Sequence, residues 1–349
     1  MRTNPVTTDA PVGTGPFKFS DWARGNNISF VRNDDYWDKG KPYLDGLIIR
    51  FMPNSSSRVQ ALLAGEVDFV SSSQFPVSSA KVIKANPNFK LERTGWSPNM
   101  LWAFFNLDRK PLSDVRVREA LLVATDRHYI FENAFSGSGR PASAPWTVRI
   151  PWATDPTIDY DKSHPFDPEK AGKMLEEAGY KADANGVRFK VSVNYSGAVP
   201  ERNQSALALQ AMWKQAGVQL DLGPLENSVL MPRVHKEGNF DVYIASYNSY
   251  GDPAIGVAPA FLTETIGMNF GNASHYKNPE TDALFAKATQ LPTLEERGAV
   301  YREIEKILMR DLPNITLHEN HGFDAATNRL QGAWGAYGFG QWGNAWLDP

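Results

Sequence analysis

Phe240-Asp241-Val242-Tyr243-Ile244-Ala245-Ser246-Tyr247-Asn248-Ser249-Tyr250-Gly251-Asp252-Pro253 sets an apolar run directly against a polar, aromatic turn. Val242 and Ile244, with Tyr243 and Ala245 between and beside them, have the unbroken apolarity of a strand buried on both faces, bounded by Gly238-Asn239 and by Gly251-Asp252-Pro253. Strands of this kind belong to α/β sheets, and the loop beyond the carboxyl end of such a strand is the usual seat of a small molecule. Tyr247, Asn248, Ser249 and Tyr250 place two amphipathic rings, an amide and a hydroxyl there. That set is suited to stacking and hydrogen bonding, not to bond cleavage. The plainer alternative is that the tyrosines only cover the end of the sheet, and these residues alone leave both readings open.

Working upstream, Val187, Phe189, Val191, Val193 and Tyr195 alternate as a strand, and a helix from about Glu201 to Ala216 buries Ala206, Leu209 and Trp213. Gly217 leads into the strand Val218, Leu220, Leu222, and a further helix near Glu226 to Lys236 precedes Phe240. Strand, helix, strand, helix, strand is an α/β lobe with crossover connections. Met100 to Asn106 is apolar and predicts a central strand, after which Val117, Ala120, Leu121 and Ala124 repeat at helical spacing. Towards the amino end, residues 1 to 10 are a polar lead-in, Phe17 to Val31 predicts a hairpin, and Leu47 to Phe51 predicts a strand. Ser55 to Ser57 offer caps for a helix carrying Val59, Leu62 and Leu63. The stretch from Gly137 to Pro165, with Trp146, Arg149 and Trp152, is long for a connection inside a domain; such loops are functional or disordered, and the aromatics favour order. Downstream, Asn278-Pro279 caps one helix, Leu294 to Met309 forms another, Ile315 to His318 is a strand, and Gly332 to Leu347 is an extended tail.

The 349 residues suffice for two domains with a sizeable core. A net charge of −3 supplies no field for nucleic acid, and no apolar run reaches the roughly 18 residues of a membrane span, so neither nucleic acid nor membrane insertion is expected. Met1 to Pro5 lacks the apolar core of an export signal. Without cysteine there are no thiolate nucleophiles, Cys-ligated metals or disulfides. Ser78-Ser79-Ala80-Lys81 fits Ser-x-x-Lys without its companion motifs. His318 and His321 stand three apart, which in a strand points them to opposite sides. Asp252 before Pro253 is a turn or capping residue. The expectation is therefore no catalytic residue, no metal and no cofactor. The 10 Trp, 12 Tyr and 19 Phe favour stacking surfaces, although tryptophan also fills cores.

Several blocks then come in a telling order: Gly13-Thr14-Gly15-Pro16-Phe17-Lys18, Arg32-Asn33-Asp34-Asp35-Tyr36-Trp37, Lys41-Pro42-Tyr43-Leu44-Asp45, Ala61-Leu62-Leu63-Ala64-Gly65-Glu66-Val67-Asp68 and Asp114-Val115-Arg116-Val117-Arg118-Glu119-Ala120-Leu121. With Tyr160-Asp161, the helix from Asp167 to Tyr180, Gly251-Asp252-Pro253 and Tyr276-Lys277-Asn278-Pro279-Glu280, they resemble the family 5 extracellular solute-binding proteins, the dipeptide, oligopeptide and nickel receptors of ABC importers. The resemblance implies a two-lobed α/β fold of the class II periplasmic-binding-protein type. Lobe I would be incomplete and the small extra N-terminal domain missing, because members carry more chain before Gly13. It places lobe I at 1–106, lobe II at 107–319 and the return to lobe I at 320–349. It also implies capture of a small solute between lobes that close like a hinge, delivery to ABC permease subunits, a monomer, and a periplasmic or extracellular membrane-associated location. Peptide-binding members hold the ligand's amino terminus with an aspartate three residues before the Gly-Asp-Pro acid; here that position is Ser249. A neutral hydroxyl cannot replace that charge-assisted bond, so a sugar conjugate, opine-like compound or modified peptide is expected rather than a plain peptide. The expected ligand contacts are Tyr247, Asn248, Ser249 and Tyr250, Trp146 and Arg149 from the long loop, and Trp102 as the lobe I contribution. The rival class is a hydrolase acting on a similar solute, which would need a nucleophile or carboxylate pair that the sequence does not display.

Overall fold

Why the run from Val242 to Asn248 is apolar on every position is answered by its neighbours. In a computed structural model that describes residues 11–72, 74–93, 99–320, 322–333 and 342–349, it is strand β10 of a six-stranded mixed sheet. The lead-in 1–10, His321 and the 334–341 part of the tail lie outside the described residues.

The chain divides into two units, one comprising Met1–Trp96 with Gly322–Pro349, the other Ser97–His321. In the first, β1 (Phe17–Ala23), β2 (Asn27–Arg32) and β3 (Gly46–Arg50) form an antiparallel meander. The helix Ser55–Leu63 is capped by Asn54, whose side chain accepts from the Ser57 N–H, and not by the serines themselves. β4 (Phe69–Val70) and β5 (Phe89–Arg93) flank the returning strand β12 (Phe323–Thr327). Their small core gathers Val59, Leu62, Ile83, Phe323 and Ala325.

The second unit is built on β6 (Asn99–Phe105), β7 (Arg140–Pro141), β8 (Phe189–Ser196), β9 (Val218–Leu225), β10 and β11 (Asn314–Asn320), in the order β7-β11-β6-β10-β8-β9. β8 pairs parallel with both β9 and β10, and β6 pairs antiparallel with β10 and β11. This pairing moves the expected boundaries. β6 lies along β10 from Asn99 to Phe105, which ties it to the second unit, so the division comes before Ser97 and not at Asn106; on the return it comes after His321 and not at Glu319.

Alternation along β10 sends its side chains to two different layers. Tyr243, Ala245 and Tyr247, with Met100, Trp102 and Phe104 of β6, face a core shared with Phe261, Phe285, Tyr301, Ile304 and Leu308. Phe105, across the ladder from Val242, turns the other way and stacks on Trp213 of the helix Pro200–Gln215. Helices therefore cover both faces, and this accounts for the unbroken apolarity of the strand. The helix Leu294–Asp311 opens with a reciprocal capping box between Thr293 and Glu296.

Candidate functional site

The helix after β8 lies on the Phe105 face, whereas the chain leaving β10 turns towards the Tyr243 face. The carboxyl ends of these two parallel neighbours thus part to opposite sides of the sheet. That divergence is the switch point at which α/β sheets form ligand crevices.

The loop that follows β10 is fixed by several independent contacts. Asp252 accepts from the Ala254 N–H at 2.9 Å and caps the short helix Pro253–Gly256. Its two carboxylate oxygens also take Nη2 of Arg297 at 2.8 and 2.7 Å, tying the loop to the helix Leu294–Asp311. The Arg297 guanidinium stands over the Trp152 ring and donates to the Tyr301 hydroxyl at 3.2 Å. Tyr250 adopts a left-handed φ of 49°, a conformation β-branched residues resist, and Gly251 follows at 76°. Gly256 leaves the loop room: a Cβ there would sit 2.1 Å from the Asn248 carbonyl oxygen.

Within that loop the expected residues have distinct surroundings. Tyr247 is nearly buried, its ring 5.2 Å from Trp102 and its hydroxyl donating to the Gly271 carbonyl at 3.3 Å. Burial raises its phenol well above the ordinary range, so it remains a neutral donor. Asn248 is half-buried and accepts from Asn99 Nδ2 at 3.2 Å. Ser249 is fully buried and its Oγ has no hydrogen-bond partner among the described residues. Tyr250 is exposed.

Two of the expected tryptophans are buried, and one lies in a different unit from the one expected. Trp102 belongs to the second unit, not to lobe I, and is wholly buried against Phe104, Tyr247 and Phe261. Trp146 is equally buried, edge-on to Tyr301. Both rings lie in the core, and both indole N–H groups, like the Ser249 hydroxyl, have no hydrogen-bond partner among the described residues; a large aromatic beside polar loop residues is also what a domain needs to close its core, and sequence does not separate the two uses. Arg149, from the same irregular stretch, is exposed, and its N–H bonds to Thr147 Oγ1 at 3.1 Å. The stretch itself is anchored by Glu319, which accepts from Thr147 Oγ1 at 2.8 Å, and by Glu305, which accepts from the Asp155 N–H at 2.6 Å.

Two further polar groups beside these strand ends were not legible in the sequence. Ser196 ends β8 with its Oγ buried and unpartnered, and Arg202, in the first turn of the following helix, has a buried Nε without a partner. Neither carries a motif; only the folded arrangement marks them. Elsewhere, His318 of the His-x-x-His pattern is a core residue stacked 3.7 Å from Phe135, and no group of three or more potential metal ligands occurs among the described residues. Among the described residues, no helix is long and apolar enough to cross a membrane. An open groove of about 540 Å³, lined by Asp108, Arg118, His275, Lys277, Arg310 and Asp311 among others, lies by the amino end of β10, away from this loop.

The sequence profile of the bacterial extracellular solute-binding proteins, family 5, matches residues 2–269. The chain belongs to this family. It is 32% identical over 334 residues to heme-binding protein A of Haemophilus influenzae, covering 94% of this chain and 58% of that protein. The solved dipeptide-binding protein of a Pseudoalteromonas species, in complex with Met-Leu, superposes with a TM-score of 0.83 at 27% identity, over 97% of this chain and 65% of that one. The periplasmic binding protein DppA of Helicobacter pylori, in complex with the peptide STSA, gives a TM-score of 0.86 at 23% identity, over 97% and 64%. The α/β fold of this family 5 chain is therefore that of the two-lobed periplasmic binding proteins, and the chain spans less than two thirds of the length of these relatives.

Proposed function

We propose that this family 5 protein is the solute receptor of an ABC importer, taking a small polar or amphipathic solute in the periplasm or at the cell surface and passing it to permease subunits without altering it. The reading rests on the loop after β10: it is held rigidly by Asp252 and Arg297, stands at the switch point of the sheet, and carries Tyr247, Asn248, Ser249 and Tyr250. Preorganised polar groups on a fixed loop suit binding, and among the described residues no nucleophile with an adjacent base accompanies them. The relatives bind heme and peptides by name, so the family alone does not choose the ligand.

Ser249 narrows the choice. A ligand ammonium group needs a carboxylate partner in a buried site, and the serine hydroxyl there carries no charge. Plain dipeptides are expected to bind at least about 100-fold more weakly than the best non-peptide or N-blocked solute, a difference of the size a lost charge-assisted hydrogen bond produces. Isothermal titration with a panel of free and N-acetylated dipeptides checks this. Micromolar binding of the free dipeptides would remove the substitution as a reason to exclude them.

A further inference from the structure

Three hydrogen-bond donors with a buried, unpartnered atom stand on the segments that leave β8 and β10: Ser196, Arg202 and Ser249. Parallel pairing sets Tyr243 beside Asn194 and Ile244 beside Tyr195, so Ser196 is the neighbour of Ala245 and points to the face of Tyr243 and Tyr247. Ser249 follows directly on Asn248, the last residue of β10. Ser196 and Ser249 are both fully buried, and neither hydroxyl has a hydrogen-bond partner among the described residues. Arg202 enters from the first turn of the helix Pro200–Gln215, whose start is pinned to β8 by the Tyr195 hydroxyl donating to Asn203 Oδ1 at 2.8 Å. Its charge reaches the Tyr243 and Tyr247 hydroxyls, where it partly offsets the upward push of burial on both phenols. No carboxylate forms an ion pair with Arg202 among the described residues, although other arginines of this unit, such as Arg127 and Arg297, have theirs.

A half-buried guanidinium whose buried Nε has no partner, with only the neighbouring Glu201 charge to favour it, is unfavourable to fold, and two buried hydroxyls with no acceptor add to that. Burial also lowers the proton affinity of the Arg202 side chain. All three groups are able to donate, and all would be satisfied by one acceptor bearing negative charge. We infer that this end of the sheet receives an acidic group of the solute, a carboxylate or its equivalent, with Arg202 supplying charge and Ser196 and Ser249 supplying hydrogen bonds. The polarity of the site is then the reverse of one built for an ammonium group. The inference rests on the solute-receptor reading and deepens it: the solute is an anion, anchored by its acid end.

The test uses the full chain, R202M, R202K and S249A, titrated calorimetrically with glutarate, N-acetylglutamate and a set of N-acetylated amino acids, each beside its methyl ester. Native mass spectrometry of the freshly purified chain runs in parallel. The best acid is expected to bind at least about 100-fold more tightly than its ester, to lose about 100-fold in R202M and about 10-fold in S249A, and to weaken as salt rises. R202K, which keeps the charge without the planar fork, should fall between parent and R202M. The melting temperature of ligand-free R202M is expected at or above that of the parent, because an unsatisfied charge has been removed; a purely structural arginine would give the opposite sign. Equal binding of an acid and its ester, or R202M binding the acid as the parent does, overturns the inference and leaves solute binding standing. So does a co-purified molecule without an acidic group. Failure of every probe together with the absence of any co-purified molecule overturns the receptor reading, and the inference with it.

Discussion

Replacing Gly298 by alanine is expected to destabilise the protein by about 3 kcal/mol or more, although the same change in an ordinary helix interior stabilises by about 1 kcal/mol. Gly298 is buried in the first turns of the helix Leu294–Asp311, and a Cβ at that position would stand 2.0 Å from the Trp152 carbonyl oxygen. That oxygen is backbone, held in place by a 2.9 Å bond from Arg302 Nη1, so it cannot swing aside as a flexible side chain would. The glycine is thus the point at which the irregular stretch holding Trp146 and Arg149 docks on the helix that also carries Arg297. Urea unfolding of the parent and G298A, compared at constant slope, measures the difference. A more stable variant would mean that this docking is misplaced.

Glu305 gives the second large effect, and its sign is set by linkage. The side chain is fully buried, one oxygen takes the Asp155 N–H and the other has no partner among the described residues. Burial pushes its carboxyl up from 4.5 to about 8, with the charges of Asp155 and Glu319 adding to the rise. The folded state therefore holds this proton more tightly than the unfolded state does. The stability it contributes is full below about pH 4.5 and is lost as pH rises through about 8. Between about pH 5 and pH 9 the loss is on the order of 4 kcal/mol. Glu305→Gln is expected to match the parent near the acid end of this window and to be the more stable protein at the alkaline end. Asp155, held down at about 2 by the Thr157 hydroxyl and N–H and by Lys306, titrates below this range and does not obscure it. Melting temperatures of the two proteins across the window test the sign; parallel curves would contradict it.

How far the sequence carries depends on what each residue has to signal. Caps announce themselves: Asp114, Asp167 and Asn278 stand before their helices as the pattern requires, each accepting from the first turn. The double-faced apolarity of β10 is legible for the same reason, since only a strand covered on both sides needs it. The unit boundary is less so. β6 was expected to belong with the chain before it, but its hydrogen bonds to β10 and β11 are contacts between residues far apart in sequence, which local patterns do not encode. Trp102 and Trp146 show the limit for sites, because an indole in a core and an indole over a ligand are written with the same letter. Arg202 is the converse: it looks like any arginine on a helix, and only the absence of a partner at its buried Nε gives it meaning.

The central claim is that a solute binds where the ends of β8 and β10 diverge. A crystal structure of the chain with its tightest-binding solute tests it most directly. The expected result is solute within hydrogen-bonding distance of the loop from Tyr247 to Tyr250, with its acidic group against Arg202. Solute seated instead in the groove by the amino end of β10, among Asp108, His275 and Arg310, would contradict it.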